Sequence, residues 1–206
     1  IVSHIHVVLE QLNLDNIILA GYSMGGRAAL SFARRFPQLL KGLILESSTP
    51  GIVSNAEREE RYRADQKLAD FIENNPIEQF VDYWMNIPLF DTQKRLTADY
   101  YRRIRESKIK NNRTGLANSL RGFSTGIMPH LWNSLSEMNC RTLLITGELD
   151  NKYTEINKKM LELLPHGEHI IAEDCGHNIH LERPEYFLNL LNNFLQHFQQ
   201  PLSNSF

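Results

Sequence analysis

The sequence predicts an α/β fold: a parallel sheet interrupted by a long helical insertion. Three observations carry this expectation. Short continuous apolar runs recur at 17–20, 42–46, 142–146 and 168–172, the lengths of strands buried on both faces. Helical patterns lie between the first pair and between the last pair of these runs. From 49 to 138 there is no clear strand signal, and charged helical stretches at 57–63 and 100–110 alternate with Pro76, Pro88 and Pro129.

The elements follow in chain order. Ile1, Ile5, Val8, Leu9 and Leu12 recur at helical spacing, one buried stripe. No Ser, Thr, Asp or Asn caps that helix, so we expect it to continue an N-terminally longer protein. His4, His6 and Glu10 interrupt its apolar run, which excludes a secretory leader. Leu14-Asp15-Asn16 turns the chain into the strand at 17–20. The glycine-rich stretch Gly21 to Gly26 follows, then a helix from Arg27 to Phe36 that Pro37 ends. With the strand at 42–46 this is a βαβ unit, whose crossover should be right-handed. After the insertion come the strand at 142–146, a helix at 158–164 and the strand at 168–172. A last helix should run from Pro184, a first-turn proline, to Phe198, with Leu188, Leu191, Phe194 and Leu195 inward. The tail 201–206 carries no signal. The expected organisation is a first core part at 1–48, a helical lid at 49–138 and a second core part at 139–200.

Composition narrows the function classes. Hydrophobic residues make up 42% and charged residues 22% of the 206, which excludes a disordered chain. Lys plus Arg (22) nearly balance Asp plus Glu (24), so net charge gives no reason to bind nucleic acid or an anionic membrane. No run reaches the roughly 20 apolar residues of a membrane span. Two cysteines, Cys140 and Cys175, fit a reducing, cytoplasmic setting.

Gly21-Tyr22-Ser23-Met24-Gly25-Gly26 fits G-x-S-x-G between a predicted strand and a predicted helix. Such a turn is too tight for β-carbons at its glycines and lifts the Ser23 hydroxyl clear of the sheet. The helix behind it aims its N-terminal dipole at a developing anion, with the Met24 N–H as first oxyanion donor. Asp150 follows the strand at 142–146, and His177 follows the last strand. The order Ser23, Asp150, His177 is that of the α/β-hydrolase arrangement, in which His177 takes the serine proton and Asp150 fixes its tautomer. Glu148 is the alternative acid. His177 and His180 lack a third ligand for zinc, and no metal is expected. Cys175 reads as a buried small hydrophobe. His4, His6, His130, His166, His169 and His197 belong to no constellation. Arg58, Arg61 and Arg63 fit a solvated helix face, whereas Arg27, one helical turn beyond Ser23, opens towards the site or packs under it. An arginine-lined cleft would favour a polyanionic small molecule over a neutral ester.

GYSMGGR at 21–27, ESSTPG at 46–51, RYRAD at 61–65, GLANSLRGFSTG at 115–126 and GHNIHLERPE at 176–185, with Trp84, Pro88 and Phe90, resemble one family closely. It is the 2-succinyl-6-hydroxy-2,4-cyclohexadiene-1-carboxylate synthase family of menaquinone biosynthesis. The resemblance runs from Ile1 to about Phe198. It implies an α/β-hydrolase-fold lyase that eliminates pyruvate from a small polycarboxylate, with no metal or organic cofactor. Ser23 would act as a base, Arg27 and Arg61 would bind carboxylates, and Tyr22, Trp84 and Phe90 would line the pocket. Arg121 is a further candidate for substrate binding. Members also carry a His-Gly loop after an early strand, donating a second oxyanion N–H. Neither that loop nor the early strands precede Ser23, so we expect the strand at 17–20 to be an exposed apolar edge and this chain to be weakly active. Two other readings stand beside this one: an esterase or carbon–carbon bond hydrolase using Ser23 as nucleophile on a carboxylated substrate, and a non-catalytic binding domain on the same fold.

Overall fold

The computed structural model describes residues 1–198; the tail at 201–206 lies outside them. Four parallel strands form one sheet in the order β1-β2-β3-β4: β1 Ile17–Tyr22, β2 Leu40–Glu46, β3 Arg141–Gly147 and β4 Gly167–Ala172. Each covers its apolar run and extends it by one or two residues, because backbone pairing continues past the last apolar side chain. Strand β1 lies at one edge, with Ile17, Ile18 and Leu19 partly buried.

Alternation along β2 and β3 sorts the core into two layers. Leu43, Leu45 and Leu144 point to the face covered by α1 (Val2–Gln11), α2 (Met24–Arg35) and, from after β3, Met160 and Leu164. Ile44, Leu143 and Ile145 point to the other face, against Ile179, Leu190 and Phe194.

Between β2 and β3 the chain forms four helices, α3 (Asn55–Asn74), α4 (Ile77–Met85), α5 (Ala98–Ile109) and α6 (Arg113–Phe123). They share a separate apolar cluster around Ala69, Ile72, Phe80, Val81, Met85, Ile104 and Ala117. Three of them start on side-chain caps: Ser54, Thr97 and Asn112 accept from the backbone of Glu57, Tyr100 and Gly115. Short 3₁₀ turns occupy 37–39, 88–95 and 132–137.

Two helices begin earlier than their apolar patterns. Helix α2 starts at Met24, because Gly25 and Gly26 are already helical, and α7 spans Asn151–Leu163 rather than starting at Lys158. The consequence is functional: Ser23 and Asp150 each sit at a helix N-cap, next to unpaired backbone N–H groups. A one-turn helix α8 (Ile179–Glu182) and α9 (Pro184–Gln196), with Pro184 in its first turn, complete the described residues. No helix among them is long and apolar enough to cross a membrane.

Candidate active site

Ser23 stands at φ 48° and ψ −109°, a left-handed conformation that a non-glycine residue adopts only when its surroundings enforce it. Three backbone contacts do so. Ser23 N donates to Glu46 O at 2.8 Å, while Ser23 O accepts from Arg27 N at 3.1 Å and from Ser48 Oγ at 3.2 Å. A β-carbon on Gly21 would meet Gly25 O at 2.4 Å, and one on Gly26 would meet the Ser48 side chain at 2.5 Å. Gly25 differs from the expected clash: a β-carbon there meets nothing, because it faces an open cavity. The glycine that holds α2 against β2 is therefore Gly26.

The turns beyond β3 and β4 are joined through their backbones. Leu149 N donates to Cys175 O at 2.9 Å, and a β-carbon on Gly147 would lie 2.1 Å from Gly176 O. This contact brings Asp150 and His177 together, both almost fully buried. His177 Nδ1 lies 2.6 Å from Asp150 Oδ2, and His177 Nε2 lies 3.1 Å from Ser23 Oγ. Tyr153 and Tyr22 pack against the imidazole at ring-centroid distances of 4.5 and 5.4 Å, limiting its freedom to turn. Glu148 is engaged elsewhere, accepting from Asp174 N at 3.0 Å, so the acid bonded to His177 is Asp150. Met24 is the first residue of α2, and its N–H has no partner within the helix.

Above Ser23 opens a cavity of about 360 Å³, roofed by the helices of the insertion. Tyr22, Ser23, Met24, Arg27, Arg61, Trp84 and Phe90 all line it. Its far wall is mostly apolar, with Leu68, Ile72, Phe80, Leu116 and Leu120. Arg27 is buried, yet among the described residues its guanidinium hydrogen-bonds to no carboxylate: Nη1 donates to Phe123 O at 2.9 Å and lies 3.5 Å from Met128 Sδ. Burial, reinforced by the neighbouring Arg61 charge, pushes it down to about 10, so it remains a cation at neutral pH. Arg61 is held by buried Asp65, which accepts its Nε–H at 2.9 Å and the Ser124 hydroxyl at 2.6 Å.

Arg121 is not brought to the cavity. It donates from the outer side of α6 to Asp70 and Glu73 of α3, at 2.7 Å each, while Leu116, Ser119 and Leu120 of the same helix face inward. A different residue supplies a third cation. Lys108 of α5 lines the cavity with Asn111 and Ser119, forms no ion pair among the described residues, and is lowered from the usual lysine range by burial. It was hidden in the sequence by five other basic residues between 102 and 113. His180 donates its backbone N–H to Glu46 at 3.1 Å, and its Nδ1 lies 2.7 Å from that carboxylate. Among the described residues no cluster of three or more His, Cys, Asp or Glu side chains could hold a metal ion. Cys175 is fully buried against the α9 side of the sheet.

Comparison with known proteins agrees with this architecture. The α/β hydrolase fold family matches residues 1–184. A Bacillus subtilis (strain 168) protein, provisionally named a 2-succinyl-6-hydroxy-2,4-cyclohexadiene-1-carboxylate synthase, is 45% identical over 194 residues, 94% of this chain and 71% of that protein. The Escherichia coli O1:K1 synthase of the same name is 31% identical over 85% of this chain and 67% of its own length. The solved structure of MenH from S. aureus superposes with a TM-score of 0.93 at 36% identity, covering 97% of this chain and 75% of that one. With this fold and these relatives, the chain belongs to the α/β-hydrolase-fold family, in its branch of 2-succinyl-6-hydroxy-2,4-cyclohexadiene-1-carboxylate synthases.

Proposed function

We propose that the protein eliminates pyruvate from 2-succinyl-5-enolpyruvyl-6-hydroxy-3-cyclohexene-1-carboxylate, using Ser23 as a base under the control of His177 and Asp150. The observation that carries the reading is a hydrogen-bonded relay opening onto a cavity with three cationic side chains, Arg27, Arg61 and Lys108. The substrate bears three carboxylates, and a cavity that accumulates guanidinium and ammonium groups suits such a molecule far better than a neutral ester.

In the proposed chemistry His177 Nε2 accepts the Ser23 proton as Ser23 Oγ removes the ring proton beside the succinyl ketone. Asp150 holds the imidazole tautomer and stabilises the imidazolium. The electron pair enters the ring, the ring double bond shifts by one position, and the bond to the enolpyruvyl oxygen breaks. The proton taken up by the enzyme is returned to the departing enolpyruvate, which becomes pyruvate. The Met24 N–H and the N-terminus of α2 would stabilise the enolate oxygen formed at the succinyl ketone. Arg27 and Arg61, beside the elbow, would clamp carboxylates near the reacting carbon. Lys108, with Asn111 and Ser119, would receive a carboxylate on the insertion side, and Tyr22, Trp84 and Phe90 would enclose the ring. The 49–138 segment acts in this reading as a lid over the core. The free thiols Cys140 and Cys175 suit a cytoplasmic enzyme.

The test is pyruvate release from the enolpyruvyl substrate, followed spectrophotometrically with lactate dehydrogenase. Ser23→Ala should lower kcat at least 10³-fold with little change in KM, as loss of the reacting group does in related triads. Turnover by Ser23→Ala near the unsubstituted rate would reject the assignment. A stable acyl-Ser23 adduct formed during turnover would point instead to covalent hydrolysis.

A further inference from the structure

We propose that Asn178 is a specificity-determining residue, whose side-chain amide donates a hydrogen bond to the ring 6-hydroxyl of the substrate. Asn178 follows His177 directly, is 4% exposed, and lines the cavity together with Tyr22 and Ser23. The orientation of its amide is set by α8. Oδ1 accepts Leu181 N–H at 3.3 Å as the cap of that helix, and the opposite rotamer would set an NH₂ group against the same N–H. Nδ2 is therefore directed away from α8, and no acceptor for it lies among the described residues. The helix that pins the amide is itself fixed. Ile179 is fully buried in the sheet core, and the buried Glu46 carboxylate accepts His180 N–H at 3.1 Å. A buried amide with one half bonded and the other open is costly, and an oxygen brought into the cavity supplies the missing acceptor.

The kind of oxygen follows from what else the cavity holds. In the proposed reading each carboxylate has a cation, Arg27, Arg61 or Lys108, and the succinyl ketone faces the Met24 N–H. Of the substrate's polar groups this leaves the enolpyruvyl ether oxygen and the ring 6-hydroxyl. The ether oxygen is the weaker acceptor, because its lone pair is delocalised into the adjoining carbon–carbon double bond. The hydroxyl stands on a saturated carbon and accepts well. A neutral amide reads it at a fixed angle without the desolvation cost of a fourth ion. The hydroxyl takes no part in bond breaking, so Asn178 acts on recognition and not on the chemical step. A ring with hydrogen in its place would leave Nδ2 buried and unpaired, which is how a polar site rejects an analogue that lacks one group.

This inference rests on the proposed pyruvate elimination, and the test keeps the two apart. Calorimetry on the Ser23→Ala protein measures binding of the substrate and of its 6-deoxy analogue, and pyruvate release from both is followed on the unsubstituted protein. The hydroxyl should be worth about tenfold in Kd and in kcat/KM, the scale of one neutral hydrogen bond. Asn178→Ser keeps an oxygen to cap α8 but is too short to carry a donor into the cavity. Added to Ser23→Ala, it should bind both ligands alike, with the weaker affinity that the analogue has for the protein retaining Asn178, and with Tm unchanged. A tenfold preference that survived Asn178→Ser would overturn the assignment. So would an equal loss of kcat on both substrates, which would place the amide on the ether oxygen or limit it to capping α8. If neither ligand bound, the proposed substrate would be wrong and the inference would fall with it; if both bound Asn178-containing protein equally well, only the role of Asn178 would fall.

Discussion

Arg27→Met exchanges a buried guanidinium for an apolar side chain of similar reach, and stability and turnover should then move in opposite directions. In the fold the guanidinium has no anionic partner among the described residues, and burial brings it down to about 10. That lies more than two tenfold steps below a free guanidinium, which costs the folded state about 3 kcal/mol at neutral pH. The sign follows from its charge: Arg27 is protonated at pH 7 in both states, so the full cost is present there. It fades only as pH rises past about 10, where the folded protein releases the proton first. Met removes this cost but leaves Phe123 O without its donor, a loss of about 1–2 kcal/mol. The balance is a gain of about 1–2 kcal/mol, or a few degrees in Tm. Turnover should fall, because truncating one partner of a desolvated charge pair costs about 3–5 kcal/mol, more than 100-fold in kcat/KM. Thermal melts with and without a tricarboxylate such as citrate, together with the pyruvate-release assay, read both effects. Arg121→Gln is the control: its exposed pairs with Asp70 and Glu73 should leave kcat and KM within twofold. A Met variant that lost stability and kept kcat/KM would show Arg27 to be a structural tie between α2 and α6.

Lys108 gives a pH signature. Its ammonium is lowered by burial, so it loses its charge at a lower pH than a free lysine, and KM should begin to rise earlier on the alkaline side. Lys108→Arg should move that rise to higher pH, and a KM profile identical in both proteins would remove Lys108 from substrate binding. Ser47 stands at φ 46° with a fully buried hydroxyl that has no hydrogen-bond partner among the described residues. Ser47→Gly should stabilise the protein by about 1 kcal/mol, as relief of the strained backbone and the unpaired oxygen exceeds the added chain entropy of glycine; urea unfolding with a lowered midpoint would contradict this.

The sheet and the hydrogen-bonded trio of Ser23, Asp150 and His177 were readable because their signals are local. A strand buried on both faces must be a short apolar run, and Ser23, Asp150 and His177 each lie within a short turn of the end of one. The cavity-facing residues of the insertion were less readable, because a helix places neighbours about 100° apart. Leu120 faces the cavity while Arg121 turns back to Asp70 and Glu73, a distinction that rests on rotation and not on residue type. Lys108 shows the converse. Arg102, Arg103 and Arg105 make exposed ion pairs, and Lys108 becomes special only when α3 and α4 enclose it. Glu182 has no local signal in GHNIHLE, since its partners, Thr92 Oγ1 and Gly176 N–H, are set by tertiary contact.

Several unfavourable features of the fold gather around one turn. Ser23 and Ser47 hold left-handed backbone at the ends of adjacent strands, Gly21 and Gly26 permit contacts no side chain could occupy, and Arg27 keeps a buried charge bonded to no carboxylate among the described residues. The sheet core a few ångströms below is conventional, with Leu43, Leu45, Leu144 and Ile145 buried among apolar neighbours. Marginal stability leaves little room for several such costs, and the gathering of these at one site points to their being offset together. In the proposed reading, a carboxylate delivered to Arg27 would offset the largest of them, so part of the substrate's binding energy would replace a deficit already present in the empty site. Arginine at this position would then weaken the resting fold for the same reason that it would strengthen the complex.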